Sequence, residues 1–281
     1  YILFLEKLLN MEVHHHPHVP SHSKPWKEYV LEGLMIFIAV TLGYGAENIR
    51  EHNVNKHKAI ISIQDLYEDL KQDSILYVKG LKRRNIQNTT FEIISYLYDE
   101  KKVLNNVPSI YAAQSLISLR VMPIMNTMAL DQIKSSGILN YIENDELKQI
   151  IQSYASDGNG LKLREQREFS FLDRMLDPIT TTRFEYKFYQ KLGEGNNPLS
   201  LINDNIEITD RKFYIKIKIP EDLKILKVNT FDWDNYLSIL GMIKTIRKST
   251  DQNYILPTQA KCNKLIELVR KYLEENNALI D

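Results

Sequence analysis

All seven histidines of the chain lie within its first 57 residues: His14, His15, His16, His18, His22, His52 and His57. The run His14-His15-His16-Pro17-His18 is the one concentrated set of metal ligands. Neutral imidazoles bind zinc, copper or nickel, and several on a short tract can chelate weakly without a preformed fold. The same cluster would gain charge near about pH 6, which is a second use for it. The plain alternative is a polar tail that meets metal only adventitiously. From Lys58 onward there is no histidine and a single cysteine, Cys262. Neither a Ser-His-Asp nor a Cys-His arrangement can be assembled from those residues, and an intrachain disulfide is impossible. Cys262 reads as a small buried side chain on an apolar helical pattern.

The remaining polar residues carry no recognisable chemistry. Gly193-Glu-Gly-Asn-Asn-Pro198 lacks the lysine and the following helix of a phosphate-binding loop. Carboxylates are scattered along amphipathic patterns and read as solvated surface. Lys82-Arg83-Arg84 is a short basic patch expected on a solvated helix face. Lysine plus arginine equal aspartate plus glutamate at 36 each, and no basic stripe interleaves with aromatics, so a nucleic-acid partner is not expected. No cofactor, small-molecule substrate or enzymatic activity is evident.

What positions these residues is expected to be mainly helical. Ten glycines in 281 residues are few for a sandwich, barrel or doubly wound sheet. Residues 34–46 contain no acidic or basic side chain. Extended back to Tyr29, the segment has eighteen residues, about 27 Å of helix against a hydrocarbon core of about 30 Å. Lys24, Trp26, Lys27 and Tyr29 flank one end as interfacial anchors, and Arg50, Lys56 and Lys58 follow the other, so orientation stays open. Glu32, Ile36, Ala39, Gly43 and Ala46 share one stripe at helical spacing. Ala39 and Gly43 form a small-xxx-small pair, and Glu32 stays wet near one membrane surface, so the stripe reads as a helix-packing face for self-association or for another membrane protein.

Beyond the span, Ile49, Ile60, Ile63, Leu66, Leu70 and Val78 recur at helical steps, with Glu68, Asp69, Lys71 and Asp73 opposite. This predicts a stalk helix to about Asn88 with spacing too irregular for heptads. A separate helix is expected over residues 90–104, another capped by Ser109, and one closed by Gly137. Asn144 opens a further helix, Asp157-Gly-Asn-Gly160 reads as a loop, and Pro178 ends the helix that follows it. Lys212 to Pro220 alternates apolar and basic residues, the one strand candidate. Thr230 or Asp232 caps a helix through Ile246, and Pro257 begins the last one.

Glu12-Val-His-His-His-Pro-His18, Leu31-Glu-Gly-Leu-Met-Ile-Phe-Ile-Ala-Val-Thr-Leu-Gly43 and Ala46-Glu-Asn-Ile-Arg-Glu-His52 together resemble a bacterial membrane-protein family of unknown function. Leu130-Asp-Gln-Ile-Lys-Ser-Ser-Gly-Ile-Leu-Asn-Tyr-Ile-Glu-Asn-Asp-Glu-Leu147 resembles that family's second recurrent segment. The resemblance covers Met11 to Tyr154 well and the rest loosely. It implies one span, a helical body and a bacterial inner-membrane location, and it supplies no catalytic residues. Residues 1–10 depart from it, and Met11 reads as the natural start.

The expected architecture is thus mainly α: one N-terminal transmembrane helix continuing into a long stalk helix and an irregular helical bundle. Residues 1–24 form a histidine-rich tail, 25–47 the span, 48–192 the stalk and body, and 193–281 a C-terminal helical segment. Two roles fit: a membrane-anchored scaffold, or a metal- or pH-responsive protein using the histidines.

Overall fold

The computed structural model describes residues 25–187, 190, 206–209, 212–215, 222, 224–225 and 230–278. The protein is mainly α. Helix α1 (Trp26–Asp99) is followed by a short 3-10 turn, α2 (Val107–Ser118), α3 (Met128–Ser135), a second 3-10 turn and α4 (Asp145–Phe171). A π-helical segment, Leu172–Leu176, joins α4 to α5 (Asp177–Arg183). Strands β1 (Ile206–Thr209) and β2 (Lys212–Ile215) pair antiparallel, with Thr209 opposite Lys212. Helix α6 (Trp233–Thr250) runs through a second π segment, Asp251–Ile255, into α7 (Leu256–Glu275). By internal contacts the chain divides into two units, Tyr1–Val54 and Asn55–Asp281.

Local chemistry sets these boundaries. Asn144 caps α4 by accepting from the Leu147 amide at 2.9 Å, and Asp232 caps α6 through the Asn235 amide at 2.9 Å. Pro108 sits in the first turn of α2, where no intrahelical N–H is needed. Pro178 and Pro257 instead come just after the two π segments, where a wider turn accommodates a residue without an N–H. Helices α1 and α7 both end in Schellman turns. Lys101 and Asn277 take left-handed φ angles of 53° and 52°. The amides of Lys102 and Ala278 then bond back to Leu97 and Leu273 at 2.8 Å.

Several expectations are corrected. No break separates a stalk from a helix at residues 90–104, because α1 has no proline and ends only at the Lys101 turn. The stretch Asp157-Gly-Asn-Gly160 lies inside α4 rather than in a loop. There glycine makes room: a Cβ on Gly158 would come within 2.5 Å of Met125 Sδ. Pro178 starts a helix and does not end one, and the helix capped by Ser109 already begins at Val107. Ile49 and Val78 are exposed and do not belong to the buried face of α1. Lys212–Ile215 is a strand, but it pairs with Ile206–Thr209, which has the same alternation in a shorter run.

Among its described residues the second unit holds two apolar cores. One gathers Ile63, Leu66 and Leu70 of α1, Leu147 and Ile151 of α4, and Leu265 and Val269 of α7. The other gathers Ile93 and Ile94 of α1, Ile110 and Ile117 of α2, Leu172, Leu176, and Tyr236 and Ile239 of α6. Along α1, along α4, and from α6 into α7, each chain passes from one core to the other. At every crossing it places charged or polar residues between them.

Candidate functional site

The polar layer between the cores is built from Arg84 of α1, Glu168 of α4, and Arg247 and Asp251 at the end of α6. Arg84, Arg247 and Glu168 are 0%, 1% and 2% exposed. Arg84 donates from Nη1 and Nη2 to the two Glu168 oxygens at 2.9 and 3.0 Å, a bidentate fork, and from Nε to Asp251. Arg247 Nε reaches Glu168 Oε1 at 3.3 Å. Further donations go to backbone carbonyls: Arg84 to Val121 at 2.8 Å and to Arg247 at 3.3 Å, and Arg247 to Ile117 at 2.6 Å.

Two cations and two anions balance, which is what allows them to stay charged away from water. Burial pulls the Arg247 guanidinium down to about 10, against the attraction of Glu168 and with added repulsion from Arg84. At Arg84 desolvation also pulls downward, but Glu168 and Asp251 outweigh it and hold the group above its ordinary value. Desolvation raises the Asp251 carboxyl, and Arg84 opposes it.

The same side of α1 cradles an extended strap, residues 119–127, that links α2 to α3 without secondary structure of its own. Its backbone groups need partners if buried, and α1 supplies them in antiparallel order. Gln87 donates to the carbonyls of Leu116 and Leu119, both at 2.8 Å. Arg84 holds Val121 as above. Asp73 accepts from the Asn126 amide at 2.8 Å, and Asp69 accepts from Asn126 Nδ2 at 2.6 Å and the Ala129 amide at 3.3 Å. Between these, Gly80 lies under Pro123, where a Cβ would stand 3.1 Å from the proline ring. The strap is pinned on both sides of Pro123, so the ring has little room to yield. Gly80→Val is expected to destabilise the body by about 1–3 kcal/mol through overpacking. Chemical denaturation checks this; a variant as stable as the parent would show that the strap moves freely.

Asp73 also anchors a smaller buried cluster. Tyr154 donates to it at 2.8 Å, and the Tyr154 and Tyr77 hydroxyls are 3.4 Å apart. Burial raises the carboxyl of Asp73 and both phenols, and it pushes the Cys262 thiol up to about 11. Cys262 is fully buried, with its sulfur 3.5 Å from the Leu70 carbonyl, as expected of a small packed side chain.

The residues singled out from the sequence lie elsewhere. His14, His15, His16 and His18 fall outside the described residues. Glu32, Ala39 and Gly43 all lie on α1 and are exposed. Among the described residues no group of three or more histidine, cysteine, aspartate or glutamate side chains is placed to hold a metal ion. Arg84 is not on a solvated patch with Lys82 and Arg83; the helix turns it to the buried side. Likewise Asp73 is 1% exposed rather than solvated with Glu68 and Lys71.

Fold and site together define a helical protein with, among the described residues, one helix long and apolar enough to cross a membrane, near the N-terminus. Comparison with protein-family models, with curated proteins and with solved structures finds no match to this chain.

Proposed function

We propose that the protein is a single-pass protein of a bacterial inner membrane, anchored by the first part of α1, with a non-catalytic helical body that docks a partner. The observation that carries this reading is the apolar window of α1. Its mean hydropathy is 1.6, yet none of it is buried. Leu34, Ile36, Phe37, Val40 and Leu42 are each more than half exposed. The core helix of a soluble protein would bury such residues, because each is worth about 1.5–3 kcal/mol out of water. The scaffold role is supported by the site itself: its buried charges turn onto one another and onto backbone. The resemblance noted in the sequence points to the same compartment.

The test is alkaline carbonate extraction of membranes from cells expressing the full chain. The unaltered protein is expected in the pellet. Phe37→Asp combined with Val40→Asp adds about 2.5–3.5 kcal/mol per carboxylate at mid-span and should shift it to the supernatant. Release of the unaltered chain by carbonate would overturn the anchor.

A further inference from the structure

We propose that the groove between α4 and the Asp251–Ile255 segment binds a small molecule bearing two or more phosphate groups. The groove has a volume of about 700 Å³, within the range of small-molecule sites. Arg164, Arg167 and Arg174 line it together with Ser170, Gly160 and Tyr254, and no carboxylate does so among the described residues. Steps of three and seven residues keep the arginines on one side of the helix, spread over roughly 15 Å. Two linked phosphate groups can therefore engage neighbouring arginines together, where a single phosphate engages fewer of them.

Three arginines line this one groove in a chain of zero formal net charge. Arg50, Arg84, Arg120, Arg247 and Arg270 each pair with a carboxylate. The three groove arginines pair with none among the described residues; Arg83 and Arg183 are likewise unpaired there but do not line the groove. Arg164 is also preorganised, with its guanidinium stacked 4.4 Å from the centre of the Tyr254 ring. Its Nε is buried without an acceptor, a donor that native proteins rarely leave unmet. A ligand oxygen entering beside Arg167, with a small shift of the Arg164 side chain, would supply one. Guanidinium forks match phosphate oxygens in geometry as well as charge, which favours a phosphate ligand over a monocarboxylate.

The test is calorimetric titration of the full chain in a mild zwitterionic detergent with inorganic pyrophosphate and, separately, orthophosphate. Saturable binding at one site is expected, with pyrophosphate at least tenfold tighter. Arg167→Ala combined with Arg174→Ala should weaken it at least tenfold while leaving the thermal midpoint unchanged. A soluble ligand and a lipid headgroup share this chemistry, and a competition arm separates them. Short-chain cardiolipin, whose headgroup carries two phosphates, that displaces pyrophosphate where phosphatidylcholine does not assigns the site to a headgroup. Failure of both to compete assigns it to a soluble molecule. Absence of saturable binding, equal binding by the double variant, or arginine-dependent binding of an acidic peptide without pyrophosphate binding would each overturn the proposal.

Discussion

Glu168→Ala is expected to lower the stability of the helical body by about 3–5 kcal/mol, a large part of the roughly 5–15 kcal/mol that holds a typical domain together. Glu168 is the shared counterion of two buried guanidiniums, at 2.9 and 3.0 Å from Arg84 and 3.3 Å from Arg247. Without it Arg84 keeps Asp251, but Arg247 keeps only the Ile117 carbonyl as a hydrogen-bond partner, with Asp251 attracting it from further off and Arg84 repelling it. The cost is the uncompensated buried cation rather than the worth of the pair. Glu168→Gln retains an acceptor in the same place and should cost less than the alanine variant. Replacing Arg84, Glu168 and Arg247 together by Met, Leu and Met removes the desolvation cost of all three. That variant should recover part of the loss, though not all, because Asp251 would lose its cation and the Val121 and Ile117 carbonyls would lose their donors. Denaturant midpoints followed by circular dichroism in detergent rank the four proteins. An alanine variant within about 1 kcal/mol of the parent would mean that water reaches the layer.

The network also explains what could be read from the sequence and what could not. Caps and breakers are local: Asn144, Asp232, Pro257 and Gly137 were legible because each acts on backbone groups within a few residues. The apolar run around Leu34 to Ala46 was legible for the same reason. The buried edge of α1 was legible only at Ile63, Leu66 and Leu70. Besides Ser62 and Ile93 beside it, its line runs through Ala59, Ile63, Leu66, Leu70, Asp73, Tyr77, Gly80, Arg84, Gln87, Thr90, Ile94 and Leu97. Up to Gln87 these steps alternate between four and three residues, close to a heptad rhythm. Asp73, Gly80, Arg84, Gln87 and Thr90 interrupt the hydrophobic signal, so a search for apolar periodicity sees irregular spacing. Each interruption except Thr90 serves the strap or the ionic layer. Their partners are distant in the chain: Arg84 meets Glu168 across 84 positions and Asp251 across 167. A buried charge and a solvated one have the same letter, and only the partner brought in by folding tells them apart. Asp157-Gly-Asn-Gly160 misled for a related reason. Turn-forming residues were in fact serving close packing, with Gly158 against Met125 and Asp157 paired to Lys261 at 2.5 Å.

Asp73 should show the clearest pH signature of the body. Asp73→Ala is expected to destabilise by about 2–5 kcal/mol, since it leaves the Asn126 amide and the Tyr154 hydroxyl without their acceptor in a buried place. Asp73→Asn keeps an oxygen for the amide and a group that can bond the phenol, and should cost far less. Burial is the main reason the carboxyl sits above its ordinary value; the bonds from Asn126 and Tyr154 pull the other way, and Asp69 adds repulsion. A carboxyl raised in the folded state binds protons more readily folded than unfolded, so its contribution to stability falls as pH rises between the two values. The penalty for the charged form is fully present above the folded value and disappears below the unfolded one. The stability of the parent relative to Asp73→Asn should therefore increase as pH is lowered from neutral through the carboxylate range. Subtracting the asparagine variant removes the titration of groups that do not touch Asp73, leaving Asp69 as the coupled neighbour. Denaturant midpoints of both proteins at a series of pH values measure the difference directly. A difference that shrinks toward acid would mean that the ionised form is the one the fold prefers, with the two hydrogen bonds outweighing burial.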